Sequence, residues 1–119
     1  MATQLGTAFL CCDESGASPA HKDYLLNQQG RRSVFTKGFS GRPARGIENE
    51  FIRLMKDKAN FPFPIQNTMT ASLRQLAVKT NNGEYQSLWA GQDYKRIRKL
   101  SARDLMLALK KELLIANTV

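Results

Sequence analysis

Apolar residues fall along this chain in short runs, and the spacing changes from run to run. In the first, residues 3–10, Leu5, Ala8, Phe9 and Leu10 come with little polar alternation. Such a run fits a β-strand covered on both faces, as in a parallel sheet, and Gly6 and Thr7 count against a helix. "DESGASPAHKDYLLNQQG" reads as a turn and then a helix: Ser18 can cap, Pro19 suits the first helical position, Tyr24 and Leu25 face inward, and Gly30 is the stop. Residues 33–39, "SVFTKGF", are β-branched and aromatic and predict a short strand. "SGRPARG" follows as a loop.

Ile47, Phe51, Leu54 and Met55 recur at helical spacing, so residues 44–57 are expected to be an amphipathic helix. The prolines of "NFPFPIQN" interrupt the pattern. Met69, Leu73, Leu76 and Ala77 resume it until "NNG" at 81–83. "EYQSLWAGQDY" reads as a partly buried connection anchored by Trp89. A last helix opens at Ser101 with Asp104 three residues on, and Leu105, Leu109 and Leu113 form its inner stripe. The pattern therefore predicts four helices and only two strands, too few to cover a buried first strand.

The 119 residues suit one small domain, and a 42% hydrophobic content allows a packed core. Cys11 and Cys12 are the only cysteines, and adjacent cysteines rarely bridge each other. They read as reduced packing residues, which fits a cytoplasmic protein. His21 is the only histidine, which excludes a multi-histidine metal site; no metal is expected. No apolar run approaches the ~18 residues of a membrane helix, and no secretory leader pattern is present, so no membrane partner is expected.

The 18 Lys and Arg against 10 Asp and Glu leave a net charge of +8. An excess of that size admits an anionic partner, although a solvated basic surface is the plainer reading. The densest run is Lys95, Arg96, Arg98 and Lys99. Stacking aromatics are scarce around it, which weakens a nucleic-acid reading.

Three motifs could carry chemistry. In "QLGTAF" a glycine after a strand lets backbone amides approach a ligand, and Thr7 adds a hydroxyl. A lone Gly-Thr turn is unspecific, and an ordinary strand end explains it as well. In "FSGRPARG" Arg42 and Arg45 could clamp an anion. The expected role is humbler: bracing the loop against carbonyls, or pairing with Glu48 or Glu50. His21 with Asp23 and Cys11 or Cys12 is a poor nucleophile–base set, because His21 is expected in an exposed first helical turn with nothing to orient it. Trp89 is expected to serve the core.

In their order, "QLGTAFL..DESGA.PAHK", "TK.FSGRPARGI.N.FI", "PFPIQN..TASLR..A" and "LWAGQ" resemble the C-terminal part of nitronate monooxygenase, formerly called 2-nitropropane dioxygenase. The resemblance runs from about Thr3 to Leu113. It implies a fold class of α/β: the last segment of an FMN-binding (β/α)8 TIM barrel plus part of its helical second domain. On its own such a chain would be mostly α with two short strands. Residues 1–40 would hold the last barrel strand with the following helix and strand, and 41–119 the helical C-terminal part. The implied activity is oxidation of alkyl nitronates by O2 to carbonyl compounds and nitrite.

Carried over by position, Gln4, Leu5, Gly6 and Thr7 would line the FMN phosphate site through backbone amides, the place where such barrels hold phosphate. The family's catalytic base is a histidine in a Gly-Gly-His motif. This sequence has no such motif, so no catalytic residue is assigned and His21 does not inherit the role. A whole barrel typically needs about 250 residues. The expectation is a fragment that neither retains FMN nor turns over a nitronate alone. Its rivals are a small basic nucleic-acid-binding module and an oligomerisation module that completes its sheet with another chain. The resemblance counts against nucleic acid as a partner and leaves the oligomeric state open.

Overall fold

The computed structural model describes residues 2–118. Within them lie α1 (Pro19–Asn27), β1 (Ser33–Thr36), β2 (Ala44–Ile47), α2 (Glu50–Met55), α3 (Ile65–Met69), α4 (Ala71–Lys79) and α5 (Ala102–Ala116). Local chemistry explains most of the boundaries. The Ser18 hydroxyl accepts from the His21 amide at 3.1 Å, with Pro19 opening α1. Ser101 accepts from the Asp104 amide at 3.1 Å to open α5. Asn81, with φ of 53°, turns the chain out after α4.

β1 and β2 pair antiparallel in the register Ser33↔Ile47 to Thr36↔Ala44. The loop between them needs Gly41: its φ is +93°, and a Cβ there would stand 2.5 Å from the Phe63 amide nitrogen. Residues 88–90 lie along the other edge of β2. The Ile47 amide donates to Leu88 O at 2.9 Å, and the Ala90 amide donates to Arg45 O at 3.2 Å.

Two apolar clusters flank this hairpin. Tyr24, Leu25, Ile47, Leu88, Tyr94 and Cys11 form one, and Phe39, Phe51 and Ile52 form the other. Trp89 sits at the rim of the second, edge-on to Phe39 with ring centroids 5.5 Å apart. Buried amides tie the loops to the clusters. Asn49 is fully buried; its Oδ1 caps α2 at Ile52 N (3.1 Å), and its Nδ2 donates to Gly83 O (3.0 Å) and Gln86 O (2.9 Å). Gln66 Nε2 donates to Gly38 O at 2.8 Å, and its Oε1 accepts from the Phe61 amide at 3.1 Å.

The structure corrects four expectations. Residues 3–10 are not a strand: the chain bends at Gly6 and makes a short 3₁₀ turn over Thr7–Phe9. Among the described residues the sheet consists of β1 and β2, so this segment has no ladder in which to place its N–H and C=O groups. The second strand is instead 44–47, the start of the expected 44–57 helix. There Ile47 pairs in the sheet, and the helix waits for the Asn49 cap. His21 is buried rather than exposed, because residues 86–90 close over the first turn of α1. The α5 stripe is only partly covered: Leu105 is buried, whereas Leu113 is 62% exposed.

Candidate functional site

Gln4, Leu5, Gly6 and Thr7 come together at one wall of a cavity of about 280 Å³. The other wall is the 3₁₀ turn Tyr94–Arg96 with its flanks, Asp93 and Ile97. The turn is held from behind. Thr7 Oγ1 accepts the Gly91 amide at 2.8 Å, which joins the "QLGT" and "LWAGQ" motifs. A Cβ on Gly91 would lie 3.2 Å from that hydroxyl, so the close approach favours glycine there. Tyr94 anchors the opposite wall: it is buried, and its hydroxyl donates to Arg31 O at 2.5 Å and lies 3.3 Å from Gln28 O.

Gly6 is different. A Cβ at Gly6 would meet nothing within 4 Å, and its φ of −111° is one that any residue adopts. Neither packing nor backbone geometry within these residues calls for a glycine. Its missing side chain leaves that edge of the cavity open, beside Thr7 and Ala8, whose amides begin the 3₁₀ turn and have no carbonyl within it to bond. That is the arrangement a phosphate oxygen needs to reach backbone N–H groups. Backbone donors of this kind are what an FMN phosphate would need, and Asp93 adds a carboxylate to the same lining.

The second side of this cavity carries no motif of its own. Arg96 and Tyr94 lay inside the basic 94–99 stretch, where charge density alone suggested a solvated surface. The structure divides that run. Arg98 forms a two-pronged pair with Glu112, the shorter contact being 2.5 Å, whereas Arg96 lines the rim of the cavity with its side chain largely exposed.

The other candidates are structural. Arg45 Nη1 donates to Ser33 O at 2.9 Å and its guanidinium covers the Phe35 ring, the bracing role expected for it. Arg42 stacks on Phe63. The His21 Nε2–H donates to Trp89 O at 3.0 Å; burial holds its pKa below the usual imidazole value, partly offset by that hydrogen bond. Burial raises the Cys11 thiol, with Lys22 opposing, and burial with Glu14 and Asp13 raises Cys12. Both stay protonated at neutral pH, which makes them poor nucleophiles.

A cluster around Glu84 locks the loop before Trp89. Glu84 accepts from the Tyr24 hydroxyl, from the Glu50 amide at 3.1 Å and from Arg31 at 3.0 Å. Burial alone would raise the Glu84 pKa; the Tyr24 hydrogen bond, the Glu50 amide and Arg31 outweigh it and hold the carboxyl below its usual value. Burial first, then Glu84, push Tyr24 up to about 12.

The family model described as nitronate monooxygenase matches residues 1–112. The chain belongs to the nitronate monooxygenase family. A probable nitronate monooxygenase of Staphylococcus saprophyticus is 43% identical over 101 residues, covering 83% of this chain and 28% of that protein. One of Bacillus subtilis is 38% identical over 112 residues, 92% of this chain and 32% of that protein. A solved structure described as nitroalkane oxidase from Streptomyces ansochromogenes superimposes with a TM-score of 0.94 at 41% identity, over 98% of this chain and 34% of the other. This nitronate monooxygenase family chain thus spans about a third of the length of the relatives it matches. Among the described residues no helix is long and apolar enough to cross a membrane.

Proposed function

We propose that this chain supplies one wall of the FMN phosphate site in a flavin-dependent nitronate monooxygenase. The fold it serves is the (β/α)8 barrel that the family resemblance implies, with residues 1–40 on the barrel side and 41–119 as the helical C-terminal part. FMN, when bound, would take electrons from an alkyl nitronate and deliver them to O2, and the products would be a carbonyl compound and nitrite. The chain's own residues position rather than react. Gly6 keeps the approach clear, the amides of Thr7 and Ala8 donate, and Gly91 fixes the Thr7 side chain. Gln4 and Leu5 complete the wall. No residue here is assigned the proton abstraction; the His21 ring is buried against Trp89 O, away from this wall.

The observation that carries this reading is that the open glycine Gly6 lines a cavity together with Thr7, whose hydroxyl the Gly91 amide holds. Whole-enzyme activity belongs to a protein with the rest of the barrel. The isolated chain is expected to purify colourless and to release no nitrite from a nitronate.

A chimera tests the reading. In the Bacillus subtilis relative, the matching 112-residue region is replaced by this chain's residues. The chimera is expected to bind FMN and release nitrite from an alkyl nitronate, and Gly6→Val in it to lose FMN. A folded chimera without flavin, or Gly6→Val with unchanged flavin affinity, overturns the assignment.

A further inference from the structure

We propose that the cavity between the start of α1, α4 and residues 86–87 binds a small hydroxy acid, with the ligand hydroxyl donating to His21 Nδ1 and its carboxylate held by the charge of Arg74 and Lys79. The cavity measures about 520 Å³ and shares no lining residue with the one at Gly6. That volume lies in the usual range of small-molecule sites.

His21 is 9% exposed, yet one of its two ring nitrogens is unspent. Its Nε2 lies 3.0 Å from Trp89 O. A carbonyl oxygen only accepts, so Nε2 carries the proton and Nδ1 keeps the lone pair. Burial favours that neutral ring, and the Trp89 carbonyl is the hydrogen-bond partner acting on it. Among the described residues none donates to Nδ1. Nδ1 is not sealed in either: the fully buried side-chain N or O atom left without a partner is Asn60 Oδ1. The space that His21 borders is this cavity. A buried acceptor open to a cavity gains from a donor brought by a ligand.

The polar groups beside it are already satisfied by one another. Ser18 Oγ accepts the His21 amide at 3.1 Å and donates to Gln86 Oε1, and Gln86 Nε2 donates to Ala77 O at 3.1 Å. They hold the wall in place and leave the ligand to His21. The charge around the cavity is of one sign. Arg74 and Lys79 line it and no carboxylate does. Arg74 bonds neutral acceptors, Thr70 Oγ1 at 3.2 Å and Asn67 O at 2.7 Å, so its charge is fixed in place without being cancelled. Neither cation forms an ion pair among the described residues. Two uncompensated cations attract an anion and repel an ammonium group. The donor that suits Nδ1 here is therefore a hydroxyl rather than an amine. Ala17 and Val78 give the ligand's carbon body an apolar wall.

The test is an NMR titration of the full chain at low ionic strength with matched probes: mandelate, phenylacetate, which lacks the hydroxyl, and mandelamide, which lacks the charge. Mandelate is expected to shift the Ala17, Val78 and Ser87 amides and the His21 Nδ1 resonance along one saturable curve. Phenylacetate should bind about fivefold more weakly, the worth of one hydrogen bond, and leave Nδ1 unmoved. Mandelamide should bind about threefold more weakly, and Lys79→Glu should weaken mandelate by about fivefold, as fits exposed charges. Lys95→Ala, outside the cavity, should leave mandelate within about twofold. His21→Gln keeps a donor for Trp89 O and should erase the preference for mandelate over phenylacetate.

No saturable shift at Ala17, Val78 and Ser87 with mandelate overturns the site. Equal affinity of the wild type for mandelate and phenylacetate, with Nδ1 unmoved, overturns the pairing at His21. Equal affinity for mandelate and mandelamide overturns the role of the cations. Lys79 is exposed, so Lys79→Glu is expected to keep the wild-type amide dispersion; with the wild-type probe comparison it decides the matter should His21→Gln fail to fold.

Discussion

Thr7 and Gly91 are separated by 84 residues of chain and joined by one hydrogen bond, from the Gly91 amide to Thr7 Oγ1 at 2.8 Å. Through it the candidate phosphate turn hangs from the segment that edges the hairpin. Thr7→Val keeps the shape and removes the acceptor. It is expected to cost about 1–2 kcal/mol, the usual consequence of stranding a part-buried amide, with Thr7→Ser close to wild type. Gly91→Ala crowds the same hydroxyl and should also destabilise. Urea unfolding of the three variants measures this, and an unchanged midpoint for Thr7→Val would show that the bond carries no weight.

Asn49 should be the most sensitive polar position. Asn49→Ala removes the α2 cap and strands two carbonyls, those of Gly83 and Gln86. The expected loss is about 2–4 kcal/mol, a cap plus buried acceptors. Asn49→Asp keeps the cap oxygen but loses both donors and buries a charge, so it should be no better. Thermal melts decide; a loss below about 1 kcal/mol, the worth of a cap alone, would refute the bridging role.

Acid should destabilise the chain in two separable steps. The Glu84 carboxyl is held below its usual value, so its contribution is full above the unfolded value and is lost as pH falls through the folded one. His21 is also lowered: folding favours the neutral ring, and stability falls as pH drops below about 6.5, where the unfolded chain takes the proton first. His21→Gln should flatten the slope just below neutrality, and Glu84→Gln the slope below the carboxylate range. In base, Tyr24 is raised to about 12, so its share is complete below its unfolded value near 10 and is lost as pH rises through about 12. Denaturant midpoints against pH test each arm; parallel profiles for wild type and His21→Gln would contradict the first.

The uncovered apolar face is expected to make the isolated chain associate. Leu5, Phe9, Met106, Leu107, Leu109 and Leu113 line a groove of about 600 Å³ between the N-terminal segment and α5, and Leu114 and Ile115 are further exposed apolar side chains of α5. Contiguous apolar surface of this kind drives association. Leu113→Lys with Met106→Lys should shift sedimentation toward monomer without altering the melt, because both side chains are more than half exposed. A wild-type chain that is already monomeric at high concentration would remove this expectation.

The helices at 19–27 and 102–116 were legible because their signals are local: Ser18 with Pro19, and Ser101 with Asp104. The turn at Gly6 and Thr7 was legible as a motif, and the family was legible from the order of four motifs. The strand expected at 3–10 failed for a non-local reason. Alternation and apolarity state what a segment would bury; whether it is a strand depends on a neighbour to bond. Residues 44–47 failed in the opposite sense: their spacing suits a helix, yet β1 on one edge and 88–90 on the other claim their backbone groups.

The sequence by itself therefore determined the caps, the breaks, the apolar faces and the family, all of which rest on residue identity and short spacing. Only the tertiary structure decided which backbone groups pair, that Asn49 and Gln66 are buried as loop ties, and that residues 4–8 and 93–97 line one cavity. Those relations join residues tens of positions apart, where an unfolded chain has no preferred distance and packing alone selects the partner.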